Sequence, residues 1–260
     1  MDRMVNGIAR AVFVFLYIPI CAVIVYSFNA AGTSTRFEGL TLQWYVDLFQ
    51  DEQLMTTLRT SAIVGVLAAT LATAIGIMFA LGLQRYRGKG KTAMIGMIAL
   101  PLIVPEIVLG VALLSVFSST KVPLGILTLV LGHLIVALPL ATLVLMSSAS
   151  MLDPSLPEAA TDLGCTPWQT FTRVYFPLLR PAVMAAWLLS FTTSFSNIVM
   201  STFLSGVGST TLPLKIYSSL KTGLTPSINA LGALLILLTL VIVLSVGIRQ
   251  MRRILVDSRS

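Results

Sequence analysis

The sequence predicts an all-α membrane protein with six transmembrane helices and one long polar loop between the fourth and the fifth. Of its 260 residues, 56% are hydrophobic and 10% are charged, and the mean hydropathy is +0.93. A water-soluble domain cannot bury that much apolar surface, whereas each crossing of a bilayer uses about 20 apolar residues. Two further observations support this fold class: apolar runs of spanning length recur along the chain, and basic residues collect in alternate loops.

Six apolar runs are separated by polar segments, and together they predict a single transmembrane domain over residues 1–260. The runs lie at about residues 8–28, 61–83, 93–117, 125–147, 182–204 and 228–247. The first run lacks a small-residue cleavage site followed by a mature domain, so we interpret it as a retained span. The second run is rich in Ala, Gly and Thr, small residues that let helices approach closely in lipid.

Two segments between the runs are predicted to carry short helices. In residues 29–59, Leu42, Tyr45, Val46 and Phe49 recur at helical spacing. This pattern fits an amphipathic helix at the membrane surface, and it equally fits an ordinary packed helix within a loop. Residues 205–227 form a second connecting segment with one short helix.

The distribution of Lys and Arg predicts the orientation of the chain. The net charge is +7. If both termini are cytoplasmic, twelve of the 17 Lys and Arg residues lie inside and five lie outside. This asymmetry follows the positive-inside rule, so the excess charge indicates membrane orientation and no nucleic-acid partner.

Sites for nucleotides and metals are not predicted. Gly90-Lys91-Thr92 imitates the end of a phosphate-binding loop, but Arg85 occupies the position of its first glycine and no strand precedes it. Cys21 and Cys165, the two cysteines, fall in a span and in the polar loop, so neither a disulfide nor a metal cluster is expected.

The polar loop, residues 153–181, is predicted to hold two short capped helices. Ser155 with Glu158 has the spacing of a capping box, and so has Thr166 with Gln169. Gly164 is expected to end the first helix because glycine adopts the left-handed conformation without penalty. Two prolines, at 177 and 181, are expected to end the second helix.

This loop resembles a known signature. Glu158-Ala159-Ala160, then Gly164, then Val174-x-Phe176-Pro177 resemble the EAA loop of ABC importer permeases, with Val and Phe where the signature has Ile and Leu. The resemblance extends over nearly the whole chain and is closest to the second permease of spermidine/putrescine-type transporters. The segments that carry this closer likeness are Arg85-Tyr86-Arg87, Pro105-Glu106-Ile107-Val108, Asp153-Pro154-Ser155-Leu156, Asp162-Leu163-Gly164 and Leu212-Pro213-Leu214-Lys215-Ile216-Tyr217-Ser218.

The resemblance implies a type I ABC transmembrane domain in the bacterial inner membrane, with no catalytic residues and no cofactor in this chain. It implies that ATP and Mg are bound by a partner ATPase dimer in the cytoplasm. The other implied partners are a second, related permease subunit, an extracytoplasmic solute-binding protein and the surrounding lipid. The loop would be the cytoplasmic coupling helix that docks on the ATPase. The coupling residues implied are Glu158, Ala159, Ala160, Asp162, Gly164 and Pro177.

Three polar residues within the spans are candidates for the solute pathway. Glu106 is either a group facing a cation or a helix-end carboxylate satisfied by neighbouring donors. Ser196 and Asn197 stand where polyamine permeases tend to carry two aspartates, and they either line the path or bond across helices. Their neutrality keeps open a non-cationic solute such as an aminophosphonate. His133 is interpreted as packed in the interior rather than as a proton relay.

The sequence gives weaker support to two other classes of protein. An ion-driven secondary carrier would need a titratable pair or relay within the membrane, for which Glu106 and His133 alone qualify. An intramembrane enzyme is not expected, because the sequence has neither H-E-x-x-H nor G-x-S-x-G.

Overall fold

The computed structural model describes residues 2–31, 36–86, 88–222, 226–237 and 240, and in those ranges the regular structure is helical. Within these ranges, four helices are long and apolar enough to cross a membrane, and a fifth crossing is formed if one bent pair of helices counts as a single span. The sequence therefore encodes a multi-pass helical protein, and the count of six spans remains a prediction. The helices, in chain order, are α1 (Asp2–Tyr26), α2 (Gln43–Gln50), α3 (Glu52–Arg85), α4 (Lys91–Ile103), α5 (Glu106–Ser119), α6 (Ile126–Ser150), α7 (Leu156–Asp162), α8 (Pro167–Thr170), a π turn (Phe171–Tyr175), α9 (Phe176–Phe195), α10 (Val199–Leu204), α11 (Leu212–Thr222) and α12 (Pro226–Leu237).

The predicted spans at 8–28, 61–83 and 125–147 coincide with α1, α3 and α6. The predicted span at 93–117 is wrong as a single helix, because α4 and α5 meet at an angle of 99°. Val104, extended at φ −73° and ψ 132°, precedes Pro105 and interrupts the helix there. The sixth predicted span begins within α12, and most of the remainder lies outside the described residues.

The predicted span at 182–204 is also divided differently. A continuous helix runs from Pro167 through the π turn to Phe195, and a separate short helix, α10, follows after a break. The prediction that Pro177 and Pro181 end the helix is therefore wrong. The π turn closes with the Phe176 amide donating to the Phe171 carbonyl, directly before the proline that lacks an amide hydrogen. Widening the helix by one residue at this point lets the chain continue past Pro177.

The chain divides into two compact units. One consists of residues 56–215, in which α6 packs along α9 and α10 packs on α5. Small side chains let the helices approach closely, as the composition of the second run predicts. The core residues of this kind, all fully buried, are Ala72, Ala137, Ala141 and Ala186. A second cluster of buried residues includes two from α10 and is formed by Val64, Phe117, Leu129, Val130, Met200 and Leu204.

The other unit consists of residues 1–55 and 216–260, and its described loop is organised around Asn29. The side-chain oxygen of Asn29 accepts from the Glu38 amide at 2.9 Å. The backbone carbonyl of Asn29 accepts from the Trp44 indole at 2.6 Å. The predicted short helix is present as α2. Its predicted face divides, since Tyr45 bonds to the Ser27 hydroxyl at 2.7 Å whereas Leu42, Val46 and Phe49 are exposed.

Candidate functional site

Two helix breaks lie next to each other in the unit formed by residues 56–215. One separates α4 from α5 at Val104–Pro105, and the other separates α9 from α10 at 196–198. They are adjacent because α10 packs on α5. Irregular backbone at membrane depth is tolerated only where it is buried in protein or lines a cavity. We therefore expect a polar site where the two breaks meet.

Asn197 occupies the second break and is only 8% exposed. Its amide donates to the Ser194 carbonyl at 3.2 Å, and its carbonyl accepts from the Ser201 hydroxyl at 2.8 Å. Its side-chain oxygen accepts from the Met200 amide at 2.8 Å, and its side-chain nitrogen donates to Glu106. Each polar group of Asn197 thus has a partner, which fixes its side chain in one orientation.

Glu106 is the first residue of α5 and is partly buried. A helix N-terminus favours a negative charge, and the Asn197 amide adds one neutral donor. Within the described parts of the chain, no Lys or Arg lies within ion-pair distance of Glu106. Among the described residues, the carboxylate is therefore held in place by neutral groups and is not paired with a cationic side chain.

A cavity of about 450 Å³ opens beside this pair. Ser196 faces it and is exposed, and its hydroxyl donates to the Thr192 carbonyl of the preceding turn at 2.8 Å. The structure therefore brings Glu106, Ser196 and Asn197 together, and Asn197 both lines the cavity and bonds across helices. The described residues that line the cavity are Glu106, Val136, Thr192, Thr193, Ser196, Asn197, Ile198 and Val199. Val136 comes from α6, and no pattern in the sequence assigns it to the site.

His133 is not part of the described lining of this cavity; it lies in the packed interior and is 2% exposed. One ring nitrogen lies 2.7 Å from the Ser194 hydroxyl and the other lies 3.3 Å from the Ser201 hydroxyl. This agrees with the interpretation of His133 as a packed residue. The sequence did not predict that Ser194 and Ser201 would contact His133. The polar residues within the apolar run 182–204 did indicate that one face of this segment packs against polar groups.

The polar loop forms the second candidate site, and its first helix ends as predicted. Gly164 has φ +77°, in the left-handed region. Its amide donates to the Thr161 carbonyl and the next amide, that of Cys165, donates to the Ala160 carbonyl, each at 2.9 Å. These two bonds form a Schellman motif, which closes the helix and reverses the chain.

The predicted capping box at Ser155 and Glu158 is not formed. The Ser155 hydroxyl and amide donate instead to the Asp153 carboxylate, at 2.7 and 2.9 Å. The backbone of Ser155, at φ −79° and ψ −16°, is already helical and lacks the extended conformation that a capping side chain needs. The amide and the hydroxyl of Ser155 lower the pKa of Asp153 below its ordinary value of 3.8, because both bonds favour the carboxylate.

The second predicted capping box is confirmed. The Thr166 hydroxyl accepts from the Gln169 amide at 3.3 Å, and the Gln169 side chain accepts from the Thr166 amide at 2.9 Å. Pro167 occupies the first helical position. From this cap the helix continues through the π turn to Phe195, so the loop and the cavity at the helix breaks are joined by one continuous helix.

The predicted loop residues are mostly turned outward. Glu158, Ala159, Asp162, Gly164 and Pro177 are exposed, whereas Ala160 is buried against the rest of the unit. Glu158 and Asp162 lie one helical turn apart and line one cavity of about 770 Å³. Gln84, at the end of α3, also lines that cavity and donates to the Ala149 carbonyl at 3.0 Å. The outward face of α7 is therefore acidic.

Comparison with known proteins shows which family the chain resembles. Residues 72–257 match the family described as "Binding-protein-dependent transport system inner membrane component". The spermidine/putrescine transport system permease protein PotC of Haemophilus influenzae is 39% identical over 238 residues, which are 92% of this chain and 93% of the relative. The putrescine transport system permease protein PotI of Escherichia coli K12 is 36% identical over 231 residues, or 86% of this chain and 82% of that protein.

The fold has a counterpart among solved structures. A chain from the crystal structure of a bacterial ABC transporter involved in the import of the acidic polysaccharide alginate superposes with a TM-score of 0.70. The match covers 96% of this chain and 95% of that one, at 16% sequence identity, so it speaks for the fold alone. The sequence matches and the helical architecture agree, and we conclude that the chain belongs to the family of binding-protein-dependent transport system inner membrane components.

Proposed function

We propose that this protein is a permease subunit of an ATP-binding-cassette importer that carries a polyamine-type cation into the cytoplasm. The relatives named for spermidine and putrescine, which cover most of the chain, support the class of solute. The observation that carries the proposal is the Glu106 carboxylate, held by Asn197 beside a cavity and unpaired with any Lys or Arg of the described residues. A negative charge placed in this way attracts an ammonium group and repels an anion.

One carboxylate here contrasts with the two aspartates that polyamine permeases tend to carry at positions 196 and 197. Asn197 contributes a neutral amide, so the pair at this point carries a single negative charge. A hydrogen bond to a charged group contributes about 1.5–3 kcal/mol, which corresponds to roughly a 10- to 150-fold change in an equilibrium. One such contact is enough to prefer an amine over an uncharged analogue. The aminophosphonate alternative is not favoured, because its phosphonate would meet the Glu106 charge.

Transport in this proposal is driven from the polar loop. The acidic outward face of α7, with Glu158 and Asp162, docks on a cytoplasmic ATPase dimer that binds ATP and Mg. Six spans place both termini in the cytoplasm, and a second, related permease subunit completes the pathway, with a binding protein delivering the solute. The Schellman turn at Gly164 and the continuous helix that follows support a lever between the ATPase and the helix breaks. An ion-driven carrier is not favoured, because His133 is bonded in the interior.

The test is uptake into proteoliposomes that contain the assembled transporter, with ATP inside and radiolabelled spermidine or putrescine bound to the binding protein outside. We expect ATP-dependent uptake, and we expect Glu106→Gln to lower it by about 10-fold or more, since the charge is lost while the size is kept. Glu38→Gln is the matched control, because Glu38 is an exposed carboxylate within 4.0 Å of Arg36. Wild-type polyamine uptake by Glu106→Gln would refute the role of Glu106. Uptake of an aminophosphonate in place of polyamines would refute the solute class.

A further inference from the structure

A chain of buried polar groups crosses the break between α9 and α10. It begins at Ser194 near the end of α9, passes through the ring of His133 on α6, and reaches Ser201 on α10. All three side chains are buried, His133 at 2% and Ser201 at 0% exposure. His133 is also the one histidine of the sequence. A rigid ring therefore joins the two helix segments on either side of the break.

One tautomer of the ring fits its two bonds to serine hydroxyls. The Ser201 hydroxyl donates to the Asn197 carbonyl at 2.8 Å, so its oxygen is left to accept from His133 Nε2–H. In this tautomer Nδ1 is unprotonated and accepts from the Ser194 hydroxyl, which lies 2.7 Å away. The hydrogen bonds then run in one direction: Ser194 donates to the ring, the ring donates to Ser201, and Ser201 donates to the Asn197 carbonyl. Hydrogen bonds in such a series strengthen one another in a low-dielectric interior.

The series ends at the residue that holds Glu106. The backbone carbonyl of Asn197 is anchored by Ser201, and its side chain donates to Glu106. The surroundings of Ser201 are apolar, with Met200 and Leu204 fully buried beside it. Water is therefore not at hand to replace a lost partner, and the position of Asn197 depends on the bonds that the protein supplies.

We propose that His133 is a positioning residue for the Glu106–Asn197 pair, acting through Ser201 to hold Asn197 in the orientation that presents the carboxylate to the solute. The inference rests on the proposed function, because it assigns His133 a role at the solute site proposed there. His133 itself does not touch the cavity and does not relay protons in this arrangement. Its fixed ring spacing sets the separation between the end of α9 and the start of α10.

Two substitutions test the hydrogen bonds of the two ring nitrogens separately. The amide of Gln reaches the position of Nε2, so His133→Gln keeps the bond to Ser201 and loses the one to Ser194. The shorter Asn reaches the position of Nδ1, so His133→Asn keeps Ser194 and loses Ser201. We expect His133→Gln to retain uptake within about 3-fold of wild type, and His133→Asn and His133→Leu to lose on the order of 10-fold. Thr142→Val is the control on the same helix, because among the described residues the buried Thr142 hydroxyl bonds only to the Leu138 carbonyl of its own helix, at 2.7 Å.

A double-mutant cycle in the proteoliposome assay separates positioning from a general structural role. If His133 acts through Glu106, adding His133→Leu to Glu106→Gln lowers uptake by less than about 2-fold beyond Glu106→Gln alone, since the target is already lost. A full 10-fold further loss would overturn the inference and leave the proposed function standing. No effect of Glu106→Gln alone would refute the proposed site itself. If His133→Leu does not assemble, Ser201→Ala replaces it in the same cycle, with the same expected outcomes. Equal uptake by His133→Gln and His133→Asn would also overturn the inference.

Discussion

Replacing Gly164 tests whether the turn at the end of α7 transmits force. Its φ of +77° is unfavourable for any residue with a Cβ, and a Cβ built there meets no atom within 4 Å. The effect of Gly164→Ala is therefore confined to the backbone, where the left-handed conformation costs about 1–2 kcal/mol. A strain of that size lowers the population of the observed turn relative to a relaxed one by up to about 5- to 30-fold.

The chain offers a matched control for this change. Gly208 has the same φ of +77° and equally open space around a built Cβ, but it lies beyond α10 and outside the polar loop. Both alanine variants should lose the same thermal stability. Only Gly164→Ala should lower ATP-dependent uptake, and Gly164→Asn should lower it less, since Asn tolerates the left-handed region better than Ala.

The assay compares uptake and binding-protein-stimulated ATP hydrolysis in proteoliposomes, with membrane insertion checked for each variant. Gly164→Trp combines the backbone strain with a bulky side chain on the exposed turn and should abolish uptake while the chain still inserts. Normal uptake by Gly164→Trp would refute the coupling argument. An equal loss of uptake in Gly208→Ala would show that strain anywhere in the chain has the same effect.

Two further predictions concern single contacts. Trp187→Phe removes the 3.0 Å hydrogen bond from the indole to the Thr70 hydroxyl but keeps an aromatic ring stacked on Phe191. We expect the free energy of unfolding to fall by about 0.6 kcal/mol. A double-mutant cycle with Thr70→Val in detergent measures this contribution. Ser155→Ala should raise the pKa of Asp153 toward 3.8, because one of its two donors is lost, and carboxyl NMR titration would show no change if the bond is absent in solution. Since the folded pKa is lowered, this carboxylate stabilises the loop above pH 3.8 and loses that contribution as pH falls through its folded pKa.

Local sequence signals predicted the features that depend on neighbouring residues. The turn at Gly164 and the cap at Thr166 were predicted because glycine conformation and capping spacing act over a few residues. The predicted cap at Ser155 was wrong because the backbone of Ser155 is already helical, and its hydroxyl donates to Asp153 instead. The continuation of the helix past Pro177 was missed because a π turn leaves no clear pattern in a single sequence.

The cavity was predictable only as a set of candidate residues. Glu106, Ser196 and Asn197 were selected because polar groups are costly within a span, a rule that applies to each residue alone. The bond between Glu106 and Asn197 joins positions 91 residues apart, and the bond between His133 and Ser201 joins positions 68 apart. Hydrophobic periodicity carries no information about such pairs.

The sequence by itself determined that the chain is a helical membrane protein, where most of its long helices lie and which loop resembles the EAA signature, because apolar content and turn chemistry are local properties. Tertiary structure decided that two helix breaks meet, that Asn197 holds Glu106, and that one continuous helix joins the polar loop to that meeting point. The physical reason is that packing of α10 on α5 and of α6 on α9 selects one arrangement among many that satisfy the same local preferences.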